Sequence, residues 1–200
     1  MKFDKQFYKT LLFLAIPVIL QNMVNSFINI LDTIMVGKLG EVAIAAVGLG
    51  NQVFFFYNMI LFGITSGGGI FVAQYWGKKD ISNIRRSVGI TLSCSIGVSL
   101  VFFVVAQTIP ELVLGFYSQD LEVITLGANY LKITAWSYPI FAISMVFSLA
   151  FRSTEQPKVP MVATIISLCT NALFNFLLIF GLVLNGITIF PRLGINGAAV

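Results

Sequence analysis

Histidine is absent from all 200 residues, which excludes imidazole bases, histidine proton relays and the His-based zinc sites. Charge is nearly as scarce: Asp, Glu, Lys and Arg make up 10% of the chain, where a soluble domain carries about a quarter. The two cysteines, Cys94 and Cys169, fall inside apolar stretches with no metal-ligand spacing and no secreted disulfide framework, so they read as small buried apolar side chains. With no histidine, no metal motif and no clustered acid pair, the constellation that an integral-membrane enzyme needs is missing. No nucleic-acid-binding module is recognisable either, so the net charge of +4 is a topology signal.

What the chain has in abundance is apolar surface. Hydrophobic residues reach 58%, and the mean hydropathy is +0.93, as expected of an integral membrane protein. Nineteen Phe and seventeen Gly suit helices that turn aromatics to lipid and small residues to one another. The basic N-terminus and LLFLAIPVIL imitate a signal peptide, but no small-residue cleavage site follows and apolar character runs on to Val36, so this is an uncleaved first span.

Spans are predicted at about 10–36, 42–75, 87–109, 123–151 and 161–184, with a sixth starting near 194. Pro17 and Pro139 are expected to kink the first and fourth, because proline lacks a backbone donor and clashes with the preceding turn. In the third, Gly89, Ser93 and Gly97 recur every four residues, a face suited to helix packing. On one side of the membrane lie Lys2, Lys5, Lys9, Lys78, Lys79, Arg85, Arg86, Arg152 and Lys158; the other side has Lys38 and Arg192. The richer side is expected to be cytoplasmic, which puts the N-terminus inside a multi-pass protein of the cell membrane. Ending in mid-pattern at Val200, the chain reads as part of something longer.

Polar side chains at membrane depth mark the functional candidates. Asp32 is the only acid inside a span, and an ionised carboxylate there costs at least about 2.5 kcal/mol unless it finds a partner, a proton or water. At about 100° per residue, Gln21, Asn22, Asn25, Asn29 and Asp32 share one helix face. Thr164, Ser167, Asn171 and Asn175 share a narrow face of the fifth span, and Asn51, Asn58 and Thr65 form a looser stripe on the second. Such stripes line a cavity or glue helices together. A carboxylate with several amide oxygens is a hard donor set, suited to a hard cation or to holding a proton. Tyr57, Trp136 and Tyr138 fit either packing or contact with a flat organic molecule.

Several stretches together resemble the multidrug and toxic compound extrusion (MATE) family of transporters. They are AIPVILQ, LDTIMVGKLGEVAIAAVGLGNQ, VAQYWGKKDISNIRR, YLKITAWSYP and LFNFLLIFG followed by GINGAA, in family order over nearly the whole chain. The resemblance implies an all-α, polytopic transmembrane helix bundle: the N-terminal six-helix lobe of a twelve-helix transporter, with five complete helices and the start of the sixth, partnered by a C-terminal lobe of the same protein. It implies a secondary active antiporter that exports organic cations, drugs or toxic compounds in exchange for protons or sodium ions, with no cofactor. It assigns the cation or proton site to Asp32, Asn171 and Asn175. Some members carry Asp at the last of these positions, where this chain has Asn175. Gln21, Asn22, Asn25, Asn29, Thr164 and Ser167 are then expected to line the cavity, and Pro17 to bend the first helix.

Two alternatives differ in kind. A lipid-linked oligosaccharide flippase of the same superfamily would want cationic residues in the cavity for a pyrophosphate headgroup, and no span carries a central Arg or Lys. A non-transporting membrane scaffold would show no ion-dependent efflux.

Overall fold

The computed structural model describes residues 5–37, 40–180, 182–184 and 187–190, with side chains described at 8, 9, 11–27, 30, 33, 34, 36, 37, 40–171 and 173. The side chains of Asn29, Asp32 and Asn175, and the sixth span expected from about 194, lie outside that set. Seven helices make up the described fold: α1 (Lys5–Gly37), α2 (Glu41–Gly77), α3 (Ile81–Thr108), α4 (Pro110–Gly115), α5 (Leu121–Thr134), α6 (Tyr138–Ser153) and α7 (Lys158–Phe180). Among the described residues three stretches are long and apolar enough to cross a membrane, Glu41–Gly77, Ile81–Thr108 and Leu121–Ser153, and Leu11–Phe27 is a shorter apolar helix. The architecture is a helical membrane bundle.

Local chemistry sets the breaks. Gly40, at φ 113°, opens α2 in a conformation that residues with a Cβ rarely adopt. Asp80 caps α3 by accepting from Asn83 N at 3.1 Å and Asn83 Nδ2 at 2.6 Å, and these bonds hold its carboxyl below the usual carboxylate range. Asp120 caps α5 through Glu122 N at 2.9 Å. The apolar run expected to form the fourth span is two helices, α5 and α6, joined by a 3₁₀ turn at Ala135–Ser137. Pro139 offers no N–H to the Ala135 carbonyl, which instead accepts from Tyr138 N in a tighter turn. In α1 the helix continues through Pro17, which is buried.

One element departs from the expected pattern. Leu182–Leu184 and Ile187–Phe190 pair as antiparallel strands β1 and β2, with Leu184 opposite Ile187, in a segment read from sequence as the end of a span and a loop. Two apolar stretches close in sequence can satisfy their backbone groups against each other as well as by extending a helix.

Packing divides the helices into two groups. α2 is the hub and packs on α3, α5 and α6, while α1 packs chiefly on α7. Where helices meet, the side chains are small: Ala43, Ala46, Ala106, Ala128, Ala142 and Ser99 are all buried. Small residues let backbones approach when the surroundings are as apolar as the core. Gly127 lies so close to Ala46 that a Cβ would sit 3.1 Å from its carbonyl oxygen. Many large apolar side chains face outward, as with Phe55, Phe62 and Met23, while Tyr57, Leu61, Leu114, Leu131 and Tyr138 fill the core.

Outward faces explain two further differences. Cys94 and Cys169 are exposed, because a small apolar side chain suits a lipid-facing surface as well as an interior. Among the described residues Gly89, Ser93 and Gly97 form no close-packed helix face: Ser93 is exposed, and nothing comes within 4 Å of a Cβ built on either glycine.

Candidate functional site

The two helix groups part at mid-height around a cavity of about 570 Å³. Asn25 of α1 and Ser167 and Asn171 of α7 line one wall, and Asn51 and Asn58 of α2 face them with Tyr138 of α6. A second space of about 460 Å³ continues between α1, α2 and α5, and shares Asn51, Phe54, Asn58 and Tyr130 with the first. The ring of Tyr130 lies against Gly50, where a Cβ would stand only 2.6 Å from it, so glycine there lets Tyr130 lie flat along α2.

The far wall is built on a buried aromatic cluster. Tyr57 and Tyr138 stack with ring centroids 4.6 Å apart and planes 12° from parallel, and Phe54 meets Phe141 edge-on at 5.1 Å. The Tyr57 hydroxyl donates to the Tyr138 carbonyl oxygen at 2.6 Å. Ser99 Oγ donates to the Ser95 carbonyl oxygen at 2.7 Å, and the two hydroxyls meet at 2.8 Å, so two protons are shared over three contacts. This chain ties α2, α3 and α6 together behind the cavity. Trp136, by contrast, is 68% exposed and packs edge-on against Phe103.

A separate polar knot closes one end of the α1–α7 pair. Gln21, 6% exposed, donates from Nε2 to Thr164 Oγ1 at 2.8 Å, and Thr164 donates to the Pro160 carbonyl oxygen at 2.9 Å. Arg152, at the end of α6, donates from Nη2 to Gln21 Oε1 at 2.5 Å. The Arg152 Nε is buried and without a hydrogen-bond partner among the described residues. Gln21 thereby joins three helices at one point.

The structure therefore sorts the sequence candidates. Asn25, Ser167 and Asn171 come together on the cavity wall. Gln21 and Thr164 are not among the lining residues, being spent on each other and on Arg152, and Asn22 is exposed away from it. Thr65 of the looser α2 stripe donates back to Leu61 O at 2.8 Å in its own helix, whereas Asn51 and Asn58 of the same stripe reach the cavity. Sequence reasoning missed Tyr130, Thr134 and Phe141 as lining residues. The signal available for Tyr130 was Gly50, a helical glycine next to the polar Asn51.

Comparison with known proteins gives a consistent picture. The family model described as MatE matches residues 17–177. A probable multidrug resistance protein NorM of Rhizobium meliloti (strain 1021) is 34% identical, over 96% of this chain and 40% of its own length. The multidrug export protein MepA of Staphylococcus aureus (strain MRSA252) is 24% identical, over 89% of this chain and 40% of its own. Among solved structures, an outward-facing multidrug resistance MATE family transporter of the MOP superfamily superposes with a TM-score of 0.83 at 21% identity, over 96% of this chain and 40% of that one. A crystal structure of MATE in complex with MaD3S gives 0.84 at 21% identity, over 96% and 41%. The chain thus spans about two fifths of the length of the relatives it matches.

Proposed function

This chain belongs to the MatE family of multi-pass membrane proteins, and from that premise we propose that it forms the N-terminal lobe of a secondary active antiporter. The antiporter exports amphipathic or cationic organic compounds in exchange for protons or sodium ions. The observation that carries this reading is the mid-height cavity, where Asn25, Asn51, Asn58 and Asn171 converge from three helices. Amides at that depth are costly against lipid and useful only where an ion, a polar substrate or water meets them.

Asp32 stands seven residues, about two turns, beyond Asn25 on α1 and therefore at the same helical phase. In the proposed site Asp32, Asn171 and Asn175 hold the coupling ion: the carboxylate supplies charge, and the amide oxygens replace water around sodium or steady a protonated acid. Asp32 changes charge as the ion enters or leaves. Moving one charge across about 100 mV supplies about 2.3 kcal/mol, enough for roughly a fiftyfold substrate gradient.

The separation of α1–α7 from the α2 group gives the exchange something to act on, since α1 carries Asp32 and Pro17 and bends at the proline as the site fills. Rocking of this lobe against a C-terminal lobe of the same protein then alternates access. Basic residues concentrate at the N-terminus and in the α2–α3 and α6–α7 turns, which supports a cytoplasmic N-terminus in the cell membrane. Among the described residues neither Lys nor Arg lines the cavity, which favours export of cations over flipping of a pyrophosphate-linked lipid.

The test is reconstitution of the full-length protein in vesicles with a fluorescent organic cation. A proton or sodium gradient imposed in the absence of ATP should drive dye movement, and reversing the gradient should reverse it. Dye movement indifferent to both gradients would refute antiport.

A further inference from the structure

A second cavity, also of about 570 Å³, lies between α2 and α3 on the other side of the hub helix. Its two ends differ chemically. Toward the α2–α3 turn it is lined by Tyr75, Asn83, Arg86 and Ser87, and away from the turn by Gly63, Ile64, Gly67, Ile90 and Cys94. From Tyr75 to Gly63 the groove runs along twelve residues of α2, about 18 Å at helical rise.

The glycines of α2 are informative. Gly68 and Gly69 are accounted for by neighbours, since a Cβ would collide with Thr91 at the first and stand 2.6 Å from Leu149 at the second. At Gly63 and Gly67, four residues apart, nothing in the described chain lies within 4 Å of such a Cβ. A glycine inside a helix is destabilising unless something needs the space. Here the space is the apolar end of the groove.

The polar end takes its positive charge from Arg86, which lines it beside a basic turn. Between 78 and 86 the chain carries Lys78, Lys79, Arg85 and Arg86 against the single acid Asp80. Asp80 is engaged with Asn83 through both oxygens, and Arg86 is exposed with no ion pair among the described residues. The Ser87 hydroxyl adds a donor at the same level. Basic pockets between membrane helices, at the level of a juxtamembrane basic cluster, recognise anionic headgroups.

We propose that the α2–α3 groove is a binding site for an anionic phospholipid, with the phosphate held by Arg86 and Ser87 and one acyl chain laid over the depression at Gly63 and Gly67. This site is distinct from the transport cavity, with which it shares no lining residue. A lipid held there wedges the α2–α3 turn, so the site makes the protein sensitive to the charge of the leaflet around it.

The full-length protein, purified in mild detergent, is exposed to equimolar phosphatidylglycerol and phosphatidylcholine with matched chains, and retained lipid is counted by native mass spectrometry. Wild type should retain phosphatidylglycerol about fivefold over phosphatidylcholine, the equivalent of about 1 kcal/mol for one basic side chain at a bilayer surface. Arg86→Gln should abolish the preference while leaving chain-dependent binding. Gly67→Leu, which fills open space, should reduce retention of both lipids. Inorganic phosphate or glycerophosphate at the same concentration should not displace the lipid; displacement would identify a free-anion site and overturn the proposal. Equal retention of the two lipids by wild type, as when the groove is covered by the rest of the protein, would overturn it too, as would an unchanged preference in Arg86→Gln. Because the readout is lipid retention, its failure leaves the antiport reading untouched, and a failure of antiport leaves this one standing.

Discussion

Single side chains do two separate jobs in this molecule, and hydrogen-bond accounting tells them apart. Tyr57, Ser99 and the Tyr138 carbonyl form a closed, buried chain at 2.6 and 2.8 Å, which makes them structural. Tyr57→Phe should cost about 1–2 kcal/mol, because it leaves a buried Ser99 hydroxyl and a carbonyl short of a partner. The Tyr57→Phe/Ser99→Ala pair should cost less than the sum of the single changes, measured as thermal unfolding of the full-length protein in detergent. Additive losses would deny the bond its role. At this scale the sequence was only partly legible. Helical phase put Asn25, Ser167 and Asn171 on the faces that line the cavity, but the same arithmetic grouped Gln21 and Thr164 with them. Phase fixes the direction of a side chain and says nothing of what waits there.

At the scale of elements, the α1–α7 pair is fastened by Gln21, Thr164 and Arg152. From sequence Arg152 is one more loop charge that reports topology, because its contact with Gln21 spans 131 residues and no local pattern announces it. Its long apolar stem can lie against α6 and α7 while the guanidinium reaches Gln21. Arg152→Ala strips Gln21 Oε1 of that donor in a nearly closed site, at an expected cost of about 1–3 kcal/mol. Labels on α1 and α7 near this end should then report a broader distance distribution in spin-echo spectroscopy. An unchanged distribution would show that packing alone holds the pair. The interruption between α5 and α6 was anticipated as a kink at Pro139, since a missing N–H has a local consequence. The β1–β2 pairing was not, although the dipeptide Asn-Gly between two apolar runs is a hairpin signal in sequence; those runs are equally compatible with the end of a helix.

For the whole molecule, scarcity of charge and the outward-facing Phe and Ile side chains belong to one design: a bundle whose exterior suits lipid, with Asn25, Asn51, Asn58 and Asn171 gathered on one cavity. Composition was sufficient to read that class, and the ordered motifs were sufficient to read the family. Burial was the least legible property, because in a membrane protein an apolar residue is as much at home outside as inside; the exposed Cys94 and Cys169 show this. The division into an α1–α7 pair and an α2-centred group, with amides facing each other between them, gives the proposed ion exchange a mechanical counterpart. The most direct measurement is gradient-driven efflux by full-length Asp32→Asn in vesicles, with protein amount and thermal stability matched to wild type. The expected result is a fall of about tenfold or more, since an amide that cannot change charge cannot exchange a proton or sodium ion for substrate. Efflux unchanged from wild type, with the same dependence on the imposed gradient, would contradict the account.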